Sequence, residues 1–254
     1  MKALVLAAGY ATRLYPLTQT VAKPLLPVGG KPMVDRILDR IREVESVNGI
    51  HVVTNSKFAG AFSEWAPADV TVHDDGTTSE DDRRGAIGDT QFVIDHAAIH
   101  DDLLIVAGDN LFDYSLEDYV QWWRGKGVAS AVALYEHPDL ELVKQYGVVD
   151  IDGDERVVSF IEKPPNPASN LAATACYLYH REHLPLIQTY LVEGNSPDQP
   201  GRLVEWLYRR APVYGYRFSG EWLDIGDKNQ LLEADNLARE RAGLEPRAEY
   251  VVDN

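Results

Sequence analysis

The sequence predicts an α/β fold in which helices flank both faces of a mixed, mostly parallel central sheet, giving three layers. Over the first 110 residues, apolar runs of strand length alternate with amphipathic helical patterns, which is typical of parallel βαβ units in an open sheet. The second half contains β-rich runs joined by an Asp-Gly turn, which indicates antiparallel strands. With 254 residues, 45% of them apolar, the chain can bury the core of one large domain.

Hydrophobic periodicity defines the elements of the first half. Residues 73–85 are polar and have too few apolar side chains for a core segment, so they are predicted to be a loop. Asp69, Asp74 and Asp75 are expected to be solvated charges at this loop. The predicted elements are strands at 2–8, 50–55, 70–73 and 103–110 and helices at 31–44, 58–66 and 85–99.

The second half is predicted to begin with an antiparallel hairpin over residues 146–164. The last helix of the chain is expected to end at Gly243. Large aromatic side chains at helical spacing are predicted core residues: Trp122, Trp123, Trp206 and Tyr208. The remaining predicted elements are strands at 171–180 and 212–218 and helices at 183–192, 202–211 and 229–243.

The charge balance restricts the partners that the chain can bind. It has 24 Lys and Arg against 40 Asp and Glu, a formal net charge of −16. This field repels nucleic acids and anionic membranes, so a polyanion would need a small local cluster of cations. A single cysteine excludes an intrachain disulfide, and no apolar run approaches the roughly 18 residues of a membrane span. With no signal peptide recognised, the sequence predicts a cytoplasmic protein.

The segment after the first strand, residues 9–27, is predicted to be a long loop and is called the opening loop here. Prolines at 16, 24 and 27 argue against a helix or a central strand. Gly9 directly follows the strand, where a small residue lets backbone N–H groups approach an anion. Arg13 and Lys23 would then supply the positive charge for a phosphate; the alternative is that both are ordinary surface cations.

Two aspartates lie in apolar surroundings at distant points of the chain. Asp109 follows the buried-strand pattern LLIVAG, and Asp224 lies between Trp-Leu and Ile-Gly. An uncompensated carboxylate is costly there, so a cation or hydrogen-bond donors must accompany it. Both aspartates could bind one Mg²⁺, which prefers carboxylate and phosphate oxygens. A catalytic acid/base pair and two structural turn aspartates are the alternatives.

A Glu-Lys pair ends the second strand of the predicted hairpin, immediately before Pro164. If that end faces the ligand side of the sheet, Glu162 can accept hydrogen bonds from hydroxyl groups and Lys163 can neutralise a phosphate. Otherwise the two side chains form a surface ion pair of little energetic weight. In open parallel sheets, ligands bind outside the carboxyl ends of the strands, which favours the ligand-binding interpretation for the motifs after strands.

Taken together, these motifs resemble those of the sugar-1-phosphate nucleotidylyltransferases. The stretch LVLAAGYATRLYPLTQTVAKPLLPVGGKPM (residues 4–33) is similar to the family signature L-A-x-G-x-G-T-R-L-x-P-L-T, K-P-L-L-P-V and K-P-M. VVTN, GAIGD, GDN, YGVV, FIEKP and WLDIG follow in the family's order, so the resemblance covers about residues 1–240. Within the family, the chain is most similar to glucose-1-phosphate thymidylyltransferase-like enzymes.

The resemblance implies a Rossmann-like (GT-A-like) fold, formed by one domain over residues 1–254. It implies a nucleotide-binding half at 1–110, a sugar-phosphate-binding half at 111–240 and a C-terminal tail at 241–254. The implied substrates are a nucleoside triphosphate, with dTTP expected, and a sugar 1-phosphate, with glucose 1-phosphate expected. Neither nucleic acid nor a membrane is an expected partner, and a homo-oligomer is left open.

The resemblance also implies a reaction and a set of roles. A sugar-phosphate oxygen attacks the α-phosphorus in line and expels pyrophosphate, with Mg²⁺ as cofactor. The implied catalytic residues are Arg13, Lys23, Asp109, Lys163 and Asp224, with Asp109 and Asp224 as metal ligands. The implied nucleotide-binding residues are Ala8, Gly9, Thr12, Arg13, Lys23, Gly85, Gly88 and Asp109. The implied sugar-phosphate-binding residues are Gly147, Glu162, Lys163, Asn170 and Thr174.

Departures from the family pattern concern two alanines and one loop. Ala11 and Ala175 stand where many relatives have glycine. If position 11 needs a positive φ, the loop has shifted or is strained, and Ala175 is expected to narrow the sugar pocket. The stretch SEDDRRGAIGD lacks the proline and glutamine found in many thymidylyltransferases, so the base stays open. The alternatives are a cytidylyl- or uridylyltransferase for another sugar phosphate or phosphocholine, a glycosyltransferase and a non-catalytic nucleotide-sugar sensor. No appended β-helix domain is expected.

Overall fold

A nine-stranded sheet forms the centre of this computed structural model, which describes residues 1–252. Two further two-stranded sheets lie beside it. The strands are β1 (Lys2–Leu6), β2 (Pro27–Val28), β3 (Lys31–Pro32), β4 (Ile50–Thr54), β5 (Val70–Asp74), β6 (Leu103–Ala107), β7 (Asn110–Phe112), β8 (Ser130–Glu136), β9 (Gly147–Ile151), β10 (Val157–Glu162), β11 (Leu171–Tyr179), β12 (Val213–Phe218) and β13 (Trp222–Asp224).

Helices connect most of these strands, and some of their ends carry clear capping groups. Ser115 Oγ accepts from the Asp118 N–H at the start of α4, and Asp227 with Gln230 forms a capping box at the start of α8. The helices are α1 (Met33–Arg42), α2 (Ala59–Trp65), α3 (Ala86–His96), α4 (Leu116–Arg124), α5 (Leu140–Val143), α6 (Leu184–Val192), α7 (Pro200–Leu207) and α8 (Lys228–Arg241).

The main sheet is mixed. Its path is β10-β9-β11-β6-β1-β4-β5, and β8 pairs with β11 and with β12. The strands β6, β1, β4 and β5 are parallel, whereas β11 runs antiparallel to β6, β8 and β9. Strand β11 therefore joins the parallel part of the sheet to the antiparallel part. The separate two-stranded sheet β7–β13 is antiparallel and pairs Asn110 with Asp224.

Apolar side chains cover both faces of the sheet. Along β1, Ala3 and Val5 pack into one core cluster with α1, α2 and α4, while Leu4 packs into the other with α3, α6 and α7. This alternation is what a strand buried on both faces requires. The predicted three-layer α/β fold is confirmed. The proposed division at residues 110 and 240 stays a prediction. Strands β6 and β11, one from each proposed half, pair with each other in the same sheet.

A third core cluster lies under the opening loop. It brings Leu14, Leu26 and Val28 of the loop region against Leu231 and Ala234 of α8. The helix α8 therefore supports the opening loop from behind. Among the helices of residues 1–252, none is long and apolar enough to cross a membrane.

Several predictions for individual elements differ from the structure. The helix expected at 31–44 begins at Met33, since Lys31–Pro32 pairs as β3 with β2. The helix α4 and the strand β8 were not predicted. Asp75 is not a solvated loop charge: it is 1% exposed, and its carboxylate accepts hydrogen bonds from Thr77.

Candidate active site

The opening loop follows the carboxyl end of β1 and winds through three short 3-10 turns, at Thr12–Leu14, Leu17–Gln19 and Lys23–Leu25. The Asn55 side chain donates to the Ala8 carbonyl at 2.8 Å, and the Thr18 hydroxyl donates to the Ala11 carbonyl at 2.7 Å. These contacts fix the path of the loop beside the sheet edge, where ligands bind in open α/β folds.

Lys23 and two carboxylates meet at the end of the two-stranded sheet β7–β13. Lys23 is 8% exposed, and its Nζ lies 2.7 Å from Asp109 Oδ2. Asn110 Nδ2 donates to Asp109 Oδ1 at 2.9 Å and to Asp224 Oδ1 at 3.2 Å. Trp222 Nε1 donates to Asn110 Oδ1 at 2.6 Å and so fixes that amide. One amide group therefore holds the two predicted metal ligands side by side.

The two aspartates differ in how readily they carry a negative charge. Burial raises the pKa of Asp109, but the neighbouring Lys23 ammonium and Asn110 amide outweigh it and hold that pKa below its usual range. Burial, and then the nearby Asp109 carboxylate, raise the pKa of Asp224 to about 6. A cation between the two carboxylates would relieve this repulsion.

The donor set fits a divalent ion. Two convergent carboxylates are hard oxygen ligands of the kind that Mg²⁺ prefers. Across residues 1–252 no group of three or more His, Cys, Asp or Glu side chains could enclose a metal. An ion at Asp109 and Asp224 would therefore take its other ligands from phosphate oxygens and water, which is usual for Mg²⁺ at phosphoryl-transfer sites.

The outer part of the opening loop presents groups suited to an anion. Arg13 and Thr12 are exposed, and within the described chain Arg13 forms no ion pair or hydrogen bond. Gly9 is also exposed, and a Cβ built there would meet nothing within 4 Å. The Arg13 guanidinium is thus available for a phosphate.

Lys163 and Glu162 lie at the end of β10, on the same side as the aspartates. Lys163 adopts a left-handed backbone with φ 50°, and its N–H donates to the Tyr146 carbonyl at 3.0 Å. Its charge lowers the pKa of Asp224, which places the ammonium near that carboxylate. A non-glycine residue at positive φ is uncommon and is often found at functional sites.

Glu162 is a half-buried carboxylate in a narrow space between two glycines. Its Oε2 would lie 3.1 Å from a Cβ at Gly147, and a Cβ at Gly201 would collide with it. Burial raises the pKa of Glu162, against the opposing charges of Lys163 and Arg202. Within residues 1–252 the carboxylate makes no hydrogen bond or ion pair, so both oxygens can accept from hydroxyl groups.

The remaining predicted residues have other contacts. Gly85 has φ 78° and starts α3; a Cβ there would lie 2.6 Å from the Pro197 carbonyl oxygen. A Cβ built at Gly88 would lie 3.7 Å from the Pro197 Cβ, which is an ordinary contact distance. Asn170 Nδ2 donates to Glu136 at 3.3 Å. The Thr174 hydroxyl is buried and donates to the Ala133 carbonyl at 3.0 Å, which favours a structural role for it.

Both alanines that replace a family glycine have positive φ. Ala11 lies at φ 49° in the opening loop, and Ala175 at φ 53° in the irregular stretch of β11 between Ala173 and Tyr177. The glycine of the family pattern thus marks a left-handed backbone that this chain keeps with a strained residue.

Sequence reasoning missed several residues near the site. Asn110 was not singled out, although the Gly-Asp-Asn triplet places it beside Asp109. Tyr146 was not either; burial and Asp224 raise its pKa to about 12, so it remains a neutral phenol. The buried pair Asp75 and Asp89 was missed because both lie in or beside a stretch of polar composition.

Comparisons with known proteins define the family. The sequence profile described as nucleotidyl transferase matches residues 2–241. The chain therefore belongs to the nucleotidyl transferase family of enzymes, and the resemblance predicted from its motifs is confirmed.

Two curated relatives are archaeal proteins named bifunctional protein GlmU. The one from Methanococcus aeolicus is 27% identical over 237 residues, covering 92% of this chain and 54% of the relative. The one from Methanocaldococcus jannaschii is 26% identical over 240 residues, covering 92% and 53%. The chain spans about half the length of these curated relatives.

Solved structures give the same fold. A Bacillus anthracis protein assigned as a glucose-1-phosphate thymidylyltransferase, crystallised with sucrose, has a TM-score of 0.78 and 25% identity, covering 94% of this chain and 96% of its own. An apo UDP-glucose pyrophosphorylase has a TM-score of 0.81 and 19% identity, covering 95% and 99%, and supports the fold alone. These neighbours differ in the substrates that their names give.

Proposed function

We propose that the protein transfers a nucleotidyl group from a nucleoside triphosphate to a sugar 1-phosphate and releases pyrophosphate. The observation that carries the proposal is the convergence of Lys23, Asp109 and Asp224 around the Asn110 amide. Such a cluster suits phosphoryl transfer, which depends on positioning and charge neutralisation more than on covalent catalysis.

In this proposal the opening loop binds the triphosphate. Arg13 and Lys23 bind its oxygens and offset the negative charge that grows on the leaving pyrophosphate. Backbone groups at Ala8 and Gly9, with the side chain of Thr12, line the same region. Gly85 and Gly88 at the start of α3 complete the part of the site that binds the nucleoside.

The sugar 1-phosphate binds at the end of β10 in this proposal. Lys163 binds its phosphate, and the free oxygens of Glu162 accept hydrogen bonds from sugar hydroxyls. Gly147, Asn170 and Thr174 are assigned to the same subsite as supporting residues. Mg²⁺, held by Asp109 and Asp224, would supply neutralisation of phosphate charge when bound.

For the particular substrates we propose dTTP and glucose 1-phosphate. The support is the motif resemblance together with the thymidylyltransferase assigned for the Bacillus anthracis structural relative. UTP is the second candidate, because a uridylyltransferase is one of the alternatives that the motif resemblance leaves open. Phosphocholine as acceptor and cytidine triphosphate as donor are tested in the same experiment.

The test is incubation of the protein with Mg²⁺, each of five nucleoside triphosphates and each of several sugar 1-phosphates and phosphocholine. Pyrophosphate release is measured, and the product is identified by mass. We expect one nucleotide-sugar, dTDP-glucose, to accumulate fastest. Pyrophosphate release with phosphocholine alone would replace the sugar assignment, and ligand binding without pyrophosphate release would indicate a sensor.

A further inference from the structure

Side chains from three distant parts of the chain hold the turn at the end of the opening loop. The Pro27 carbonyl accepts from the Tyr250 hydroxyl at 2.6 Å, and the Val28 carbonyl accepts from Arg36 Nε at 3.0 Å. The Gly29 N–H donates to Asp235 Oδ1 at 2.7 Å. Three consecutive backbone groups are thus bound by the tail, α1 and α8.

Close packing accompanies these hydrogen bonds. Leu26 and Val28 are buried in the third core cluster together with Tyr250. Gly29 has φ 59°, and a Cβ built there would lie 2.6 Å from the Ala238 Cβ on α8. No side chain fits between the turn and the helix, so a shift of α8 would move the turn.

The tail that carries Tyr250 is itself attached to α8. Asn236 Nδ2 donates to the Arg247 carbonyl at 2.9 Å, and the Arg247 N–H donates to Asn236 Oδ1 at 2.7 Å. This pair of hydrogen bonds fixes the direction of the tail as it returns toward Pro27. Tyr250 is 9% exposed, so its ring is packed against the cluster.

The same helix also reaches the carboxylate side of the site. Ile225, the residue after Asp224, donates its N–H to the Asp109 carbonyl at 3.1 Å and is buried in the third cluster. The cap of α8 follows at Asp227. Lys23 on the loop and the two aspartates at the β7–β13 sheet are therefore connected through α8 and the tail, which pack together.

We propose that Tyr250 and Asp235 are positioning residues, which set the place of Lys23 relative to Asp109 and Asp224 by holding the turn at 27–29. The inference rests on the proposed function, since Lys23 must act on the triphosphate. Small displacements of a positioned group cost large factors in rate. A loss of either contact should therefore change catalysis more than it changes the fold.

The experiment compares Tyr250→Phe with Tyr190→Phe. Tyr190 is a matched control because its hydroxyl also donates to a backbone carbonyl, that of Ser196 at 2.8 Å, and because it packs in the core cluster of α3, α6 and α7 and not in the third cluster. Both variants lose a hydroxyl group that donates to a backbone carbonyl, and both should show similar melting temperatures. We expect Tyr250→Phe alone to lower kcat/KM for the nucleoside triphosphate by about 5- to 20-fold.

A second pair of variants tests Asp235. Asp235→Asn keeps an acceptor oxygen for the Gly29 N–H, whereas Asp235→Ala removes it. We expect the asparagine variant to retain wild-type kinetics and the alanine variant to lose activity as Tyr250→Phe does. Hydrogen exchange provides a readout that needs no turnover: the Leu25 and Leu26 amides, bonded to Ala22 and Lys23, should exchange faster in Tyr250→Phe than in Tyr190→Phe.

The outcomes separate this inference from the proposed function. If the wild-type protein releases no pyrophosphate with any substrate pair, the proposed function fails. If the wild type is active and Tyr250→Phe matches Tyr190→Phe in both kinetics and amide exchange at Leu25 and Leu26, the positioning inference is overturned and the function stands.

Discussion

At the scale of single residues, the site depends on opposite charges in close contact. Lys23, Asp109 and Asp224 lie together in a half-buried space where water screens charges poorly. Asn110 separates the two carboxylates and is held by Trp222. Each of these groups therefore has a defined partner before any substrate binds.

Replacing Asp109 by asparagine should remove a negative charge and little volume. We expect Asp109→Asn to lower kcat by about 10²–10³-fold, since it removes a proposed metal ligand. The melting temperature should fall as well, because the buried Lys23 ammonium loses the carboxylate that it pairs with. Pyrophosphate release at several Mg²⁺ concentrations measures the effect. Asp154→Asn, in the exposed hairpin turn, is the control. A normal Mg²⁺-dependent rate in Asp109→Asn would refute the assignment.

Replacing Lys163 by alanine should weaken the binding of one substrate, the sugar 1-phosphate. We expect Lys163→Ala to raise the KM for the sugar 1-phosphate by about 10- to 100-fold and the KM for the triphosphate far less, since only one phosphate loses its cation. Steady-state kinetics with each substrate varied provide the measurement. Lys126→Ala removes a lysine at the far end of the sheet as a control. Equal shifts in both KM values would mean that Lys163 has another role.

At the scale of elements, the irregular stretch of β11 holds Ala175 at a positive φ, which lowers the stability of the fold. An alanine in the left-handed conformation is strained by about 1–2 kcal/mol. Glycine removes this strain, but it makes the unfolded chain more flexible, which offsets about 0.4–1 kcal/mol of the gain. Ala175→Gly should therefore raise the free energy of unfolding by about 0.5–1 kcal/mol, measured by urea unfolding. Ala66, at φ −57°, should lose stability on the same substitution. Equal destabilisation of both variants would contradict the strain.

Asp75, directly after β5, and Asp89 of α3 form a buried carboxyl pair. Asp89 is 6% exposed, and one of its oxygens has no partner. Burial, followed by the Asp75 charge, raises the pKa of Asp89 to about 8. The native state therefore holds a proton that the unfolded chain has released above about pH 4. Its contribution to stability is full below that pH and is lost as the pH rises toward 8.

Asp89→Asn should abolish this part of the pH dependence. The asparagine amide donates to Asp75 at every pH, so we expect the variant to be more stable than the wild type at pH 8 by about 1–3 kcal/mol and to show a smaller difference at pH 5. Urea unfolding at both pH values measures this. Asp95→Asn, exposed on the same helix, is the control. Parallel pH profiles for wild type and Asp89→Asn would exclude a proton on Asp89.

The elements show where sequence reasoning succeeded and failed. Strands such as β1 and β6 were predicted because their apolar runs are bounded by polar residues. β8 was missed: alanine is depleted in strands, and only pairing with β11 and β12 on its two sides makes this segment extended. The start of helix α4 could have been predicted, because Ser115 is a typical N-cap residue and an acidic residue, Asp118, follows three positions later.

At the scale of the whole molecule, the sequence predicted Lys23, Asp109 and Asp224, which the structure brings together at the proposed site, but not the residues that hold them. Asp109 and Asp224 could be predicted since a carboxylate in apolar surroundings requires a partner. Asn110 could not be, because a neutral amide in a turn carries no such requirement. Asp75 was wrongly placed in solvent, since its burial depends on how the polar segment folds back, with Arg84 donating to the Asp75 carbonyl, and local composition does not encode this.

Strand β11 has a consequence for how this enzyme could have arisen and could be rebuilt. It hydrogen-bonds to β6 of the proposed nucleotide half and to β8 and β9 of the proposed sugar half. A polypeptide cut near residue 110 would leave unsatisfied strand edges on both fragments. Recombination that exchanges one half for that of a distant homologue is thus disfavoured, and new specificity is more readily gained by altering loops at the rim than by swapping modules.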